Sequence, residues 1–137
     1  MNSHQEMVKE FMIAFGQEAP SSFSPEAFPE ELRSSLIMEE SLEFCQAAAE
    51  KDYVGMIDAI CDLLYVTYGA AIALGIDIGP FFAEVHRSNM SKLDPETGMP
   101  MYRHDGKVIK PATYSPADIK GLMLKIYGTP LAKTITT

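Results

Sequence analysis

Residues 53–74 are apolar on every side, yet they carry two carboxylates one helical turn apart. The run reads Tyr-Val-Gly-Met-Ile-Asp-Ala-Ile-Cys-Asp-Leu-Leu-Tyr-Val-Thr-Tyr-Gly-Ala-Ala-Ile-Ala-Leu, and Asp58 and Asp62 are its charged residues. Asp52 is placed to N-cap a helix here and Gly75 to C-cap it. A helix without a polar face must be covered all round. A 137-residue chain is short of material for that cover. The shortfall predicts a homodimer or homotetramer whose subunits share this helix about a two-fold axis. The same stretch is long enough to cross a bilayer. Two aspartates near its middle are costly in hydrocarbon, so a membrane span is not expected.

The preceding segment adds three more acids. At about 100° per residue, Glu39, Glu40 and Glu43 span one arc of a helix, and Leu32, Leu36 and Ala47 fall within it. Five carboxylates turned toward one interior repel one another and protonate unless cations neutralise them. Neither helix offers a basic residue close to the acids. Hard divalent cations such as magnesium or manganese take oxygen ligands of this kind. The pattern therefore predicts a divalent metal site inside a helical bundle.

The rest of the chain agrees with an all-α fold. Met7, Val8, Phe11, Met12 and Phe15 recur at helical spacing over residues 3–16. Residues 17–28 read as a Ser- and Pro-rich loop. Pro29, Glu30 and Glu31 open a second helix running to about Lys51. Gly79-Pro80 starts a fourth helix ending near Met90. From Leu93 to Thr113 helical periodicity fails, and Asp105-Gly106 signals a turn between strands 101–104 and 107–110. Ser115-Pro116-Ala-Asp118 starts a short last helix ending at Tyr127. One domain over residues 1–137 is expected: a helical bundle with a long basic loop or small hairpin near residues 93–114.

That loop region holds a second cluster. Arg87, Lys92, Arg103, Lys107 and Lys110 are five of the chain's eleven Lys and Arg, interleaved with His86, Asn89, His104 and Tyr114. Such groups can clamp the phosphates of a substrate that also binds magnesium. The net charge of −8 argues against a nucleic-acid polymer or a membrane surface as partner. Other chemistries lack their motifs. There is no GxxxxGKS loop, no Glu-x-x-His pair of a di-iron bundle and no zinc-type histidine spacing. Cys45 and Cys61 lie in apolar runs and read as reduced core thiols, consistent with a cytoplasmic protein. The first thirty residues show no secretory signal pattern.

Met38-Glu-Glu-Ser-Leu-Glu43, followed by Asp58-Ala-Ile-Cys-Asp-Leu-Leu-Tyr65, resembles the all-α nucleoside triphosphate pyrophosphohydrolases. That superfamily includes MazG, the dimeric dUTPases and phosphoribosyl-ATP pyrophosphohydrolase. Val85-His-Arg-Ser-Asn-Met-Ser-Lys92 and Asp105-Gly-Lys-Val-Ile-Lys-Pro111 are similar to a MazG-like branch. The resemblance spans roughly residues 30–119. It implies hydrolysis of a (deoxy)nucleoside triphosphate to the monophosphate and pyrophosphate, in nucleotide-pool control or housecleaning. It implies Glu40, Glu43 and Asp62 as metal ligands, and Glu39 as a ligand or the base that orients water. Asn89, Lys92, Lys107 and Lys110 would grip phosphates, with Arg87 and Tyr114 as further candidates. The sequence departs from the family pattern at one point. Ala59 stands where the second helix normally carries glutamate, and Asp58 lies one residue earlier, either as a ligand or as a partner of one. The base is expected against apolar residues such as Phe11 or Phe15. Two alternatives remain at this level: phosphoribosyl-ATP pyrophosphohydrolase itself, and a non-catalytic nucleotide-binding helical regulator.

Overall fold

The structure, a computed structural model, describes residues 1–128, in two compact units, residues 1–78 and residues from Gly79 onward. The first unit holds α1 (Ser3–Ala14), a 3-10 turn (Pro25–Ala27), α2 (Glu30–Ala49) and α3 (Tyr53–Leu74). Asn2 caps α1 by accepting from the Gln5 N–H at 2.8 Å. Val8 and Met12, one turn apart, pack with Ile72 and Ala73 of α3 to form the core, flanked by Ala19, Phe28 and Tyr68. Gln5 on the same face is fully buried and fully paired. Its Nε2 donates to the Ile76 carbonyl at 2.8 Å and its Oε1 accepts from the Ile78 N–H at 3.1 Å. Those two bonds tie the end of the unit to α1, because an unpaired buried amide would be costly.

Both expected caps of α3 are present. Asp52 accepts from the Gly55 N–H at 3.0 Å, and Gly75 ends the helix at φ +80°. A Cβ at Gly75 would also lie 1.9 Å from the Ser22 carbonyl oxygen, so conformation and space both require glycine there. The loop packs back on this end, with the Ser24 N–H donating to the Leu74 carbonyl at 2.8 Å.

α2 and α3 form a tight antiparallel hairpin with constant register. A Cβ at Gly55 would sit 3.3 Å from the Ala47 Cβ, and a Cβ at Gly69 would sit 2.6 Å from Arg33 Nη1. Glu40 and Asp62 meet in the layer between. Each step is seven residues on either helix, two turns, which returns the side chain to nearly the same face.

The cover of α3 is partial. α2, α1 and the 3-10 turn pack on it. Tyr53, Val54, Ile57, Ile60 and Leu64 remain exposed, Val54 at 81%. Met38 and Leu42 of α2 are exposed as well. α3 is long and apolar enough to cross a membrane, and 28% of its most apolar window is buried within the chain. One expectation about the core is corrected. Cys45 and Cys61 are exposed, not core thiols. Of the apolar residues of α1, Val8 and Met12 are buried, while Met7, Phe11 and Phe15 remain exposed.

The second unit holds α4 (Gly79–Met90), β1 (Met101–Tyr102), β2 (Val108–Ile109) and α5 (Ile119–Tyr127). β1 and β2 are antiparallel, with Met101 opposite Ile109 and Tyr102 opposite Val108. Arg103-His104-Asp105-Gly106-Lys107 makes the turn, with Gly106 at φ +86°. The strands are shorter than the expected 101–104 and 107–110. Asp118 caps α5 by accepting from the Gly121 N–H at 2.9 Å, so the helix begins after the Ser115–Pro116 signal rather than on it.

Candidate active site

The hairpin register brings three carboxylates to one point. Glu40 and Glu43 lie one turn apart on α2, and Asp62 faces them from α3. One oxygen from each lies within 4.8 Å of the other two. Among the described residues, no Lys, Arg or His forms an ion pair with any of them. Glu40 Oε2 is buried without a hydrogen-bond partner. Burial first, then a hydrogen bond with Glu43 and the charges of Glu43, Asp62 and Glu39, push the Glu40 carboxyl up to about 7. Burial raises Asp62 too, followed by repulsion from Asp58 and Glu43. The cluster therefore concentrates negative charge that no cation among the described residues offsets. Three converging hard oxygen donors, one of them orphaned, suit a divalent metal ion.

The other two predicted acids flank this point. Glu39 and Asp58 are exposed, and each adds repulsion to its neighbour in the trio, Glu39 to Glu40 and Asp58 to Asp62. The five acids thus share one electrostatic neighbourhood, of which three converge.

The predicted phosphate-binding residues lie in the second unit and differ among themselves. Arg87 is engaged within the chain. Its guanidinium donates to both carboxylate oxygens of Glu84, at 2.6 and 3.0 Å, and to the carbonyls of Ser115 and Pro116. Glu84 also accepts from the Asp118 N–H at 2.9 Å. The hydrogen bonds from Arg87 and Asp118 hold the Glu84 carboxyl down at about 2. Arg87 thus fastens α4 to the start of α5, and a phosphate would have to compete with those bonds. Lys92 Nζ donates to Asn89 Oδ1 at 3.1 Å, so that pair is adjacent, as the spacing predicts. Lys110 Nζ lies 4.8 Å from the centroid of the Tyr114 ring, a cation–π contact. The Lys107 side chain is exposed, and its N–H donates to Asp105 Oδ1 at 3.1 Å.

Sequence reasoning passed over Arg33. It shares the stripe of Glu40, two turns earlier, and is 7% exposed. The signal was its seven-residue spacing from Glu40, matched by Gly69 seven residues after Asp62.

A helical hairpin that sets Glu-Glu-x-x-Glu opposite an aspartate pair places this molecule among the all-α nucleoside triphosphate pyrophosphohydrolases. More narrowly, the chain belongs to the phosphoribosyl-ATP pyrophosphohydrolase family, whose model matches residues 7–89. The match contains both acid motifs and ends at Asn89, before Lys92, Lys107 and Lys110. An uncharacterised protein of Acanthamoeba polyphaga mimivirus is 31% identical over 133 residues, 93% of this chain and 50% of that protein. The chain thus spans about half the length of that curated relative. A crystal structure of a candidate NTP pyrophosphohydrolase from Exiguobacterium sp. 255-15 is 25% identical. That comparison covers 97% of this chain and 98% of the other, with a TM-score of 0.48.

Proposed function

We propose that the chain hydrolyses a (deoxy)nucleoside triphosphate to the monophosphate and pyrophosphate, in nucleotide-pool control or housecleaning. The observation that carries this reading is the Glu40–Glu43–Asp62 trio, set within 4.8 Å in a chain of this family. Glu40, Glu43 and Asp62 would hold magnesium, with manganese as a substitute. When bound, the ion supplies Lewis-acid charge neutralisation and a more acidic water. Glu39, exposed beside the trio, either adds a ligand or takes the proton of the attacking water. Asp58 adds a ligand or supports Asp62. The water oxygen forms a bond to the α-phosphorus as the bond to the bridging oxygen breaks and pyrophosphate leaves. Asn89 would donate a hydrogen bond to the departing phosphates and Lys92, Lys107 and Lys110 would neutralise them, Lys110 while seated on Tyr114. Arg87 is the weakest member of that set, because Glu84 already claims it.

The base would lie against the aromatic rings of α1 and α3. Tyr65 follows Asp62 by three residues, on neighbouring faces of α3. Its ring meets Phe11 edge-on at 5.7 Å, and Phe11 meets Phe15 at 4.4 Å. Phe15 is 70% exposed, leaving ring area for a base to cover. The exposed apolar surface of α3 and α2 supports a homodimer or homotetramer in which a second copy completes the cover.

A second reading is favoured by the family match itself: phosphoribosyl-ATP as substrate. It uses the same acids and the same bond cleavage. One experiment separates the readings. The protein is incubated with magnesium, a panel of ribo- and deoxyribonucleoside triphosphates, and phosphoribosyl-ATP, in ¹⁸O-labelled water. Label in the monophosphate, with pyrophosphate released, supports the mechanism, and the preferred substrate chooses between the readings. Orthophosphate released without added pyrophosphatase rejects it, as does no turnover of any substrate.

A further inference from the structure

Lys92 and Lys110, two of the cations that would grip phosphates, come from opposite limbs of one looped segment, residues 92–114. Lys92 follows α4 directly and bonds to Asn89, while Lys110 sits on the Tyr114 ring just before the chain leads into α5. Like charges oppose bringing the two limbs together, so the neck of the segment needs its own fastening. One face of α4 and its end provides it. The Ser115 N–H donates to Ser91 Oγ at 2.9 Å, and that hydroxyl donates to the Ser88 carbonyl at 2.6 Å. Lys92 and Tyr114 are thus the immediate chain neighbours of a bonded pair. One turn back, Arg87 Nη2 donates to the Ser115 and Pro116 carbonyls at 3.4 and 3.2 Å. Glu84 aims that guanidinium by accepting from Nε and Nη2, and its Oε2 also takes the Asp118 N–H at 2.9 Å. Glu84, Arg87 and Ser91 recur at i, i+3 and i+7, the spacing of one helix face. Glu84 is the sheltered member, its side chain 15% exposed against 47% for Arg87.

We infer that Glu84 is a positioning residue for the phosphate grip, with Ser91 as the second fastening of the same neck. This role rests on the triphosphate hydrolysis proposed above. Glu84 touches no phosphate. It orients Arg87 and holds the Asp118 N–H, so that Arg87 and Ser91 together pin the returning limb to α4. The pinning fixes Lys110 and Tyr114 in relation to Asn89 and Lys92. Arg87 then serves the grip by its planar fork, set between one carboxylate and two carbonyls, and not by contact with substrate. Charge alone would give Glu84 the opposite effect. Removing a negative group near a polyanion tightens binding, and releasing Arg87 from it would add a phosphate contact. Loosening the neck weakens binding instead, so the sign of the change separates the two.

Inorganic tripolyphosphate is the probe of the grip, titrated calorimetrically into the full chain at saturating magnesium, while turnover is followed on the nucleoside triphosphate panel. Glu84→Gln should raise the tripolyphosphate dissociation constant and KM about three- to tenfold, with kcat and magnesium affinity unchanged. Ser91→Ala should do the same without any change of charge. Ser91→Thr, which keeps the hydroxyl, should restore the wild-type values. Tripolyphosphate binding by Glu84→Gln as tight as the wild type's, or tighter, overturns the inference. So does a Ser91→Thr protein as weak as Ser91→Ala. So does a parallel fall of kcat and magnesium affinity in the variants, which would mark a general loss of structure. A wild type that binds no tripolyphosphate overturns it as well, because no grip is then left to position. A wild type that binds tripolyphosphate but turns over no nucleotide refutes the hydrolysis alone, and the binding of the variants still decides the role of Glu84.

Discussion

Magnesium binding should compete with a proton, and the size of the competition follows from Glu40. Its carboxyl titrates at about 7, raised from an ordinary 4.5 by burial and by its acidic neighbours. A metal ligand must be deprotonated. At pH 8 about nine tenths of Glu40 is ionised, and at pH 6 about one tenth, so apparent affinity should weaken roughly tenfold between them. Binding at pH 6 should release about one proton, and at pH 8 almost none. The sign of the stability change follows as well. Between pH 4.5 and 7 the metal-free folded chain holds a proton that the unfolded chain has lost. Its stability therefore falls as pH rises through that window, and the raised Asp62 acts in the same direction. Saturating magnesium should cancel or reverse the trend. Calorimetric titration at pH 6, 7 and 8, in two buffers of different ionisation enthalpy, measures affinity and protons together. Glu40→Gln should bind magnesium more weakly and release no proton. A wild-type affinity that stays flat from pH 6 to 8 would refute the reasoning, as would an undiminished proton release from Glu40→Gln.

The remaining predictions test separate parts of the molecule. Glu43→Gln or Asp62→Asn should abolish turnover at any magnesium concentration, and wild-type turnover with unchanged magnesium dependence would remove that residue from the ligand set. Lys92→Ala should cost about 1.5–3 kcal/mol, the worth of a charge-assisted phosphate contact, in kcat/KM while leaving magnesium binding intact. If Lys92→Ala and Lys107→Ala both behave as wild type, the basic segment is only a solvated surface. Gly69→Ala gains about 1 kcal/mol of helix propensity but forces a methyl onto Arg33, an overpacking cost of about 1–3 kcal/mol. Urea denaturation should show it destabilised, and a stabilised variant would mean that the guanidinium yields freely. Light scattering at micromolar concentration should find a dimer or tetramer, and a stable monomer would leave the exposed face of α3 to another partner.

Much of this architecture can be read in the sequence, because caps and turns are local. Asp52, Gly75, Asp105-Gly106 and Asp118 act within three or four residues of themselves, and each acts where its neighbours indicate. The acid motif is local in the same sense. What depends on the pairing of two helices is not legible. The resemblance implies Glu40, Glu43 and Asp62 as the ligands, but only the hairpin register shows these three of the five acids converging. Apolar neighbours suggest that Cys45 and Cys61 are buried, yet neither faces the Val8–Met12 core. Arg87 looks like a free cation in sequence, and only the fold of the second unit brings Glu84 and the carbonyls of Ser115 and Pro116 to it.

The three layers of the α2–α3 hairpin explain why its charges stay unbalanced. At the connecting end, Ala47 meets Gly55, so the helices approach closely. Two turns on, Glu40 meets Asp62, and two turns further Arg33 lies over Gly69. A seam of this kind is normally apolar, and here two of its three layers are ionic and of opposite sign. At 1.5 Å per residue, Arg33 and Glu40 are about 10 Å apart along the axis, beyond ion-pair reach. The directions of their pKa shifts agree with that separation. A guanidinium in contact would hold Glu40 below the ordinary carboxylate range, and Glu40 is raised; a carboxylate in contact would raise Arg33, and Arg33 is lowered. Sliding either helix by one residue would turn all three layers away from one another. The register thus keeps the buried Arg33 cation and the half-buried Glu40 and Asp62 carboxylates from neutralising each other.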